Sequence, residues 1–377
     1  MIPTIDKQIE FLKNVGEIPE DEIDIAETAL MLASLDRPGV SLQKYHHHLE
    51  ILKLDTASAG HNASSAEERA NSLINVMYGR HEYKGDDKFY DDLQNVNLMS
   101  VIDRRLGLPI SLGILYIHAA RSQGWNAEGV NFPAHFLIRI YGENDQVILD
   151  PFHKGKILDA HDLRELVGTI SGGDQKLEQW HHAPLGKRAI LVRLLNNIKI
   201  RCLNASDFDL AMNALKRTIY IDPEKIVHKY ELGMLQIHTK SVEEGKKNLL
   251  DCLDFMDDNV DSNNEDMRKH ILGTLKEMRA YNKPIEKVDI HGDSTFAMGL
   301  EAQKRGHKLY HYLVDDMSFL NGAVKAHARP LTLRRELGHH YTVEDSEHIN
   351  LGDDIDVILM RQDPPFHMGY ITATHIL

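Results

Sequence analysis

Residues 109–152 read PISLGILYIHAARSQGWNAEGVNFPAHFLIRIYGENDQVILDPF. Pro109 opens a largely apolar helix and Gly124 closes it, the usual placement of the two residues at helix ends. Beyond Gly124 the apolar period changes to two. HFLIRIY (135–141) and QVILDPF (146–152) alternate on either side of GEND and form a β-hairpin. A helix followed by antiparallel strands makes this part of the chain α+β.

A hairpin centred on Glu143–Asn144 pairs Leu137 with Asp150 and sets His135 diagonally on the same face, within reach of its side chain. An imidazole held by a carboxylate and aimed at a helix start is the architecture that activates a nucleophile. Ser111 lies at that start, where the helix dipole favours a developing anion. Ser111, His135 and Asp150 are the candidate catalytic set. A serine alkoxide is much harder to form than a thiolate. The set therefore reads as degenerate, with His135 and Asp150 bracing the hairpin; a serine hydrolase or acyl transferase is the alternative.

The rest of the 377 residues places this segment. Helical patterns such as EIDIAETALMLASL, SLQKYHHHLEILKL and AEERANSLINVMYG precede it, and the unit runs over 1–185. From 186 to 281 the pattern is all helical. FDLAMNALKRTIYIDP and EEGKKNLLDCLDFMDD repeat one layout at a spacing of about 34 residues, a tetratricopeptide-like array suited to a protein partner. From 282 to 377, DSTFAMGLEAQKRG reads as a helix, and HKLYHYLV, GAVKAHARPL and DIDVILM as strands, a small α/β unit.

Bulk composition narrows the function classes. A net charge of −14 argues against a nucleic-acid-binding surface. Two cysteines, Cys202 and Cys252, fall at apolar helical positions, read as core, and fit a reducing cytoplasm. The N-terminal stretch lacks a signal pattern, and no apolar run approaches the roughly 18 residues of a membrane helix. A cytoplasmic protein is expected. The runs YHHHLE, WHHAP and GHHY lack ligand spacing and read as solvated histidines; no metal is expected.

DRRLGLPISL, PAHFL, LDPF and LLNNIKIRCL together resemble the SirB family of bacterial proteins, from about Asn71 to about Tyr281. The resemblance implies a papain-like, transglutaminase-type core joined to tetratricopeptide-like helices. Transglutaminase-like enzymes carry cysteine where this chain has Ser111, and the family's PGHFL is PAHFL here, with Ala134 in place of glycine.

DSTFAM, LEAQKRGH, ARPL and DVILMRQDPPF resemble the N-terminal domain of bacterial glutathione synthetase. The resemblance implies a partial pre-ATP-grasp α/β domain that binds γ-glutamylcysteine. Arg361, at the carboxyl end of a strand, suits a substrate carboxylate. Asp363 follows in the same loop, and Ser294 and Thr295 at a helix start cap it or hold an anion. Gln362 stands where the family has lysine. A first apolar strand is replaced by LKEMRAYNKPI, which looks helical. The chain is read as ending where the ATP-grasp domain of such an enzyme begins. ATP and Mg²⁺ are therefore expected only if that domain is supplied, and these residues alone are expected to be inactive. The two functional expectations are a part of a glutathione synthase and, alternatively, a non-catalytic interaction scaffold. Oligomerisation is expected by resemblance to the synthetases.

Overall fold

The computed structural model describes residues 4–132, 135–171, 183–239, 241–258, 264–281, 285, 288, 290–313, 316–320 and 323–359. It divides into two compact units, Met1–Phe255 and Met256–Leu377.

The first unit opens with helices α1 (Ile5–Glu17), α2 (Ile25–Leu35), α3 (Gln43–Ala59) and α4 (Ala66–Ile74). Their starts are written locally. Asp24 accepts the amides of Ala26 and Glu27 at α2, and Ser65 with Glu68 forms a reciprocal capping box at α4. A wide π turn over Asn75–Arg80 follows. The two-residue strand β1 (Lys84–Gly85) pairs in parallel with β2 (Leu106–Gly107), and α5 (Leu98–Arg104) lies between them.

Next comes α6 (Pro109–Arg121), buried on almost every side, as its apolar composition requires. The strands β3 (Ala127–Phe132), β4 (His135–Tyr141), β5 (Gln146–Asp150) and β6 (Lys156–Leu158) are all antiparallel. Beyond α7 (Ala160–Ser171), β7 (Pro184–Leu185) completes a sheet of order β6-β5-β4-β3-β7. The hairpin register is the expected one: Ile138 faces Leu149 and Arg139 faces Ile148. Helix and sheet touch at Gly113, where an added Cβ would lie 2.3 Å from the Phe136 ring.

Helices α8 (Lys187–Asn204), α9 (Phe208–Ile221), α10 (Ile226–His238) and α11 (Val242–Asp258) then follow one another, α9 and α11 beginning one expected repeat apart. Ile190, Leu191, Leu194 and Leu195 of α8 and Ile221 of α9 join the same core as α6. Cys202 and Cys252 are buried and unpaired by any disulfide, as core cysteines should be.

The motif DRRL is a bracing device. Asp103 accepts Arg37 Nη1 at 2.8 Å, Tyr45 OH at 2.9 Å and Lys44 Nζ at 2.8 Å. Arg104 reaches Asp86 at 2.8 Å and Asn95 at 3.0 Å. Arg105, in the left-handed region at φ 63°, donates to His48 Nε2 at 2.7 Å and to Tyr83 OH. His48 and His340 correct the solvated-histidine expectation: both are buried, and His340 Nε2 bonds the carbonyl of Ile285 at 2.8 Å. The cluster WHHAP begins outside the described residues.

Burial, then the charge of Arg105, pushes the His48 imidazole down to about 3. A folded-state value below the ordinary one stabilises the fold above about pH 6.5, and that contribution is lost as pH falls from there towards 3. Acid titration of tryptophan fluorescence is expected to show the first unit weakening across this window. His48→Gln is expected to flatten that dependence; an unchanged acid midpoint would refute the assignment.

The second unit contains the end of α11, then α12 (Glu265–Tyr281) and α13 (Ser294–Lys304). Its strands are β8 (Leu309–His311), β9 (Met317–Leu320), β10 (Ala323–Leu333), β11 (Tyr341–Val343) and β12 (Glu347–Asn350). The long β10 pairs antiparallel with the other four. Gln303 ties α13 to this strand, donating to the Leu333 carbonyl at 2.9 Å and accepting its amide at 2.8 Å.

The expected strand DIDVILM does not form between Asp354 and Leu359. No helix among the described residues is long and apolar enough to cross a membrane.

Candidate functional site

Strand β4 begins with His135 and β5 ends with Asp150, so the antiparallel register alone brings them together. His135 Nε2 lies 2.9 Å from Asp150 Oδ2. The turn after β5 brings back a residue that sequence reasoning missed. His153 Nδ1 lies 2.7 Å from the same Oδ2. Its signal was its position three residues past Asp150 in LDPFH, where a tight turn folds a side chain back over its own carboxylate.

Asp150 is 2% exposed, and its other oxygen accepts the amides of Phe152 at 2.9 Å and His153 at 3.3 Å. Burial alone would raise its pKa; the hydrogen bonds and charges of His135 and His153 outweigh it and hold the carboxyl below its usual range. The two imidazoles stack with centroids 6.1 Å apart. His153 is the exposed member, with 57% of its side chain open against 14% for His135.

An aromatic wall continues outward, Phe152 edge-on to His153 at 5.3 Å and Tyr90 edge-on to Phe152 at 5.6 Å. From the other side Arg193 donates to the carbonyl of Phe132 at 3.2 Å and to that of His135. It thereby clamps the two strands at their turn. Pro133 and Ala134, between those strands in sequence, lie outside the described residues.

Ser111 departs from the triad expectation. It is wholly buried in the first turn of α6, and its hydroxyl has no hydrogen-bond partner among the described residues. The structure thus joins His135 to Asp150 and leaves Ser111 unbonded to either. A buried hydroxyl without a partner costs free energy. Ser111→Ala is expected to be neutral or stabilising by up to about 1 kcal/mol. Chemical denaturation checks this; a loss above about 2 kcal/mol would mean that the hydroxyl holds something in place.

In the second unit Ser294 and Thr295 start α13 as expected, but the cap is Asp293. Its carboxylate accepts the amides of Thr295 at 2.7 Å and Phe296 at 3.0 Å. An anion approaching this end would meet that negative charge first. Arg361, Gln362 and Asp363 lie outside the described residues.

Comparison with known proteins separates the same two parts. Residues 43–196 match the Transglutaminase-like superfamily, and residues 279–377 match the prokaryotic glutathione synthetase N-terminal domain. A UPF0162 protein of Xylella fastidiosa is 30% identical over 216 residues, 56% of this chain and 76% of that protein. Glutathione synthetase of Brucella melitensis is 50% identical over 93 residues, 25% of this chain and 30% of the synthetase. That of Mesorhizobium japonicum is 48% identical over 93 residues, 25% of this chain and 29% of the synthetase. The chain thus spans under a third of the synthetases it matches. The solved structure of menin superposes with a TM-score of 0.33 at 11% identity, over 67% of this chain and 70% of that one, too loosely to carry an argument. The chain belongs to the UPF0162 family and carries a segment similar to the first part of glutathione synthetase.

Proposed function

We propose that this UPF0162-family chain contributes the γ-glutamylcysteine-binding part of a glutathione synthase, carried beside a transglutaminase-like unit that forms no acyl-enzyme. The observation supporting the first half is the 50% identity to a glutathione synthetase over 93 residues. The support for the second half is Ser111, a buried hydroxyl without a partner among the described residues where a thiolate would be needed.

In this reading the second unit is the partial pre-ATP-grasp layer, with Arg361 holding a substrate carboxylate and Asp363, Ser294 and Thr295 completing the pocket. Ligation then needs the rest of the synthetase length, in the same chain or another, together with ATP and Mg²⁺ to stabilise the transferring phosphoryl group. A second reading is an interaction scaffold built on the tetratricopeptide-like helices. Ile200, Leu203, Leu210, Val227 and Leu250, exposed along α8–α11, favour it.

The test uses calorimetry and coupled ADP release. These 377 residues are expected to bind γ-glutamylcysteine and to release no ADP with γ-glutamylcysteine, glycine and Mg-ATP. Release is expected once the remaining synthetase segment is added as a separate chain. Arg361→Ala is expected to weaken γ-glutamylcysteine binding about tenfold or more. ADP release by the chain alone would overturn the partial-enzyme reading. Absence of γ-glutamylcysteine binding would leave the scaffold.

A further inference from the structure

We propose that His135, Asp150 and His153 form a binding site for a divalent transition-metal ion of the zinc class. The proposal rests on the first unit alone and is independent of the synthetase reading.

Each residue offers one donor atom, and the three atoms lie within 4.8 Å of one another. Two imidazole nitrogens and one carboxylate oxygen are a donor set that zinc and its neighbours prefer. Asp150 Oδ2 sits 2.9 Å from one nitrogen and 2.7 Å from the other. Ligand atoms about 2.1 Å from a common tetrahedral ion would stand about 3.4 Å apart. The edges measured here open to that distance by small side-chain rotations, His153 having the freedom of an exposed ring.

The surroundings are those of a held ligand. Asp150 Oδ1 is fixed by the amides of Phe152 and His153, leaving Oδ2 to the donor cluster, the kind of support that orients a metal-binding carboxylate. The start of β4, which carries His135, is clamped by Arg193. Charge points the same way. Asp150 supplies a buried carboxylate as the acidic member of the cluster, and a carboxylate oxygen beside two ring nitrogens is a donor group for a cation. Three protein ligands leave a fourth position, on the side where His153 meets solvent. That arrangement is typical of zinc sites that keep a water.

The site needs no hydroxyl from Ser111. It also differs from the run of adjacent histidines on α3, whose side chains diverge around the helix.

The test titrates Zn²⁺ into the chelator-stripped full chain by calorimetry and follows Co²⁺ substitution by visible absorption. One equivalent is expected to bind, with the intense d–d bands of a low-coordinate Co²⁺ site. His153→Ala removes an exposed side chain and leaves the core intact; it is expected to weaken binding at least about tenfold and to abolish the bands. His47→Ala, an exposed histidine of the run on α3, is expected to change neither. Far-UV circular dichroism confirms that both variants fold. No saturable equivalent in the parent protein, retention of binding in His153→Ala, or equal loss in His47→Ala would each overturn the proposal, the last marking adventitious surface binding.

Discussion

Asp150→Ala is expected to cost the first unit about 3–5 kcal/mol of unfolding free energy, the range found when one partner of a buried charged cluster is removed. The carboxylate is 2% exposed and serves His135, His153 and the amides of Phe152 and His153. Its removal strands the half-buried His135 imidazole and two backbone donors at once. Asp150→Asn keeps the shape and one acceptor but turns an NH₂ towards the rings, so about 1–3 kcal/mol is expected.

The pH dependence adds a signature. The folded carboxyl titrates below its ordinary value, so its stabilisation is present above about pH 4 and is lost as pH falls through the folded value. That acid slope should vanish in Asp150→Ala. Urea unfolding followed by tryptophan fluorescence, repeated across pH, reads both effects. A cost under about 1 kcal/mol would show that the hairpin is held by its apolar face alone.

The sequence was most informative where a local rule and the fold agree. Alternation about GEND set the register that joins His135 to Asp150, because a two-residue period leaves only one face for each side chain. Proline at 109 marked a helix start that the structure keeps. What escaped notice was non-local. His153 joins the site through a turn whose hydrogen bonds are made by Asp150 itself, and no periodicity encodes that. His48 looked like one of three equivalent histidines until Arg105 and Tyr83 closed over it. A strand was expected at Asp356–Leu359 and does not form; the apolar pattern of a segment cannot show whether a pairing partner lies beside it. For Ser111, the helix start was read correctly, but sequence cannot show whether a hydroxyl and an imidazole meet.

Arg188→Ala is expected to cost about 3 kcal/mol, and it tests whether the helices after Leu185 belong to the same cooperative unit as the sheet. The Arg188 guanidinium donates to the carbonyls of Val15 and Ile18, each at 3.0 Å, and to that of Ile221. Those groups end α1 and α9, so one cation closes two helix C-termini, where the dipole favours positive charge. Its own amide donates to Glu20 at 3.0 Å.

The two helices meet closely there: a Cβ on Gly16 would sit 2.2 Å from the Tyr220 carbonyl. Hydrogen bonds from a charged donor contribute about 1.5–3 kcal/mol each, but bonds that share one side chain do not add. Lysine at this position keeps the charge and cannot span three carbonyls, so Arg188→Lys should recover less than half of the loss.

Tryptophan fluorescence and far-UV circular dichroism should shift together in Arg188→Ala, because Leu191, Leu194 and Leu195 pack in the core that also contains Trp125. If the fluorescence midpoint stayed in place while helix signal was lost early, α8–α11 would be an independently folding array. The arginine would then be a hinge between two modules. If both fell together, the repeat-like helices would be part of the wall that holds the His135–Asp150 hairpin, and a partner docking on them would act directly on that site's stability.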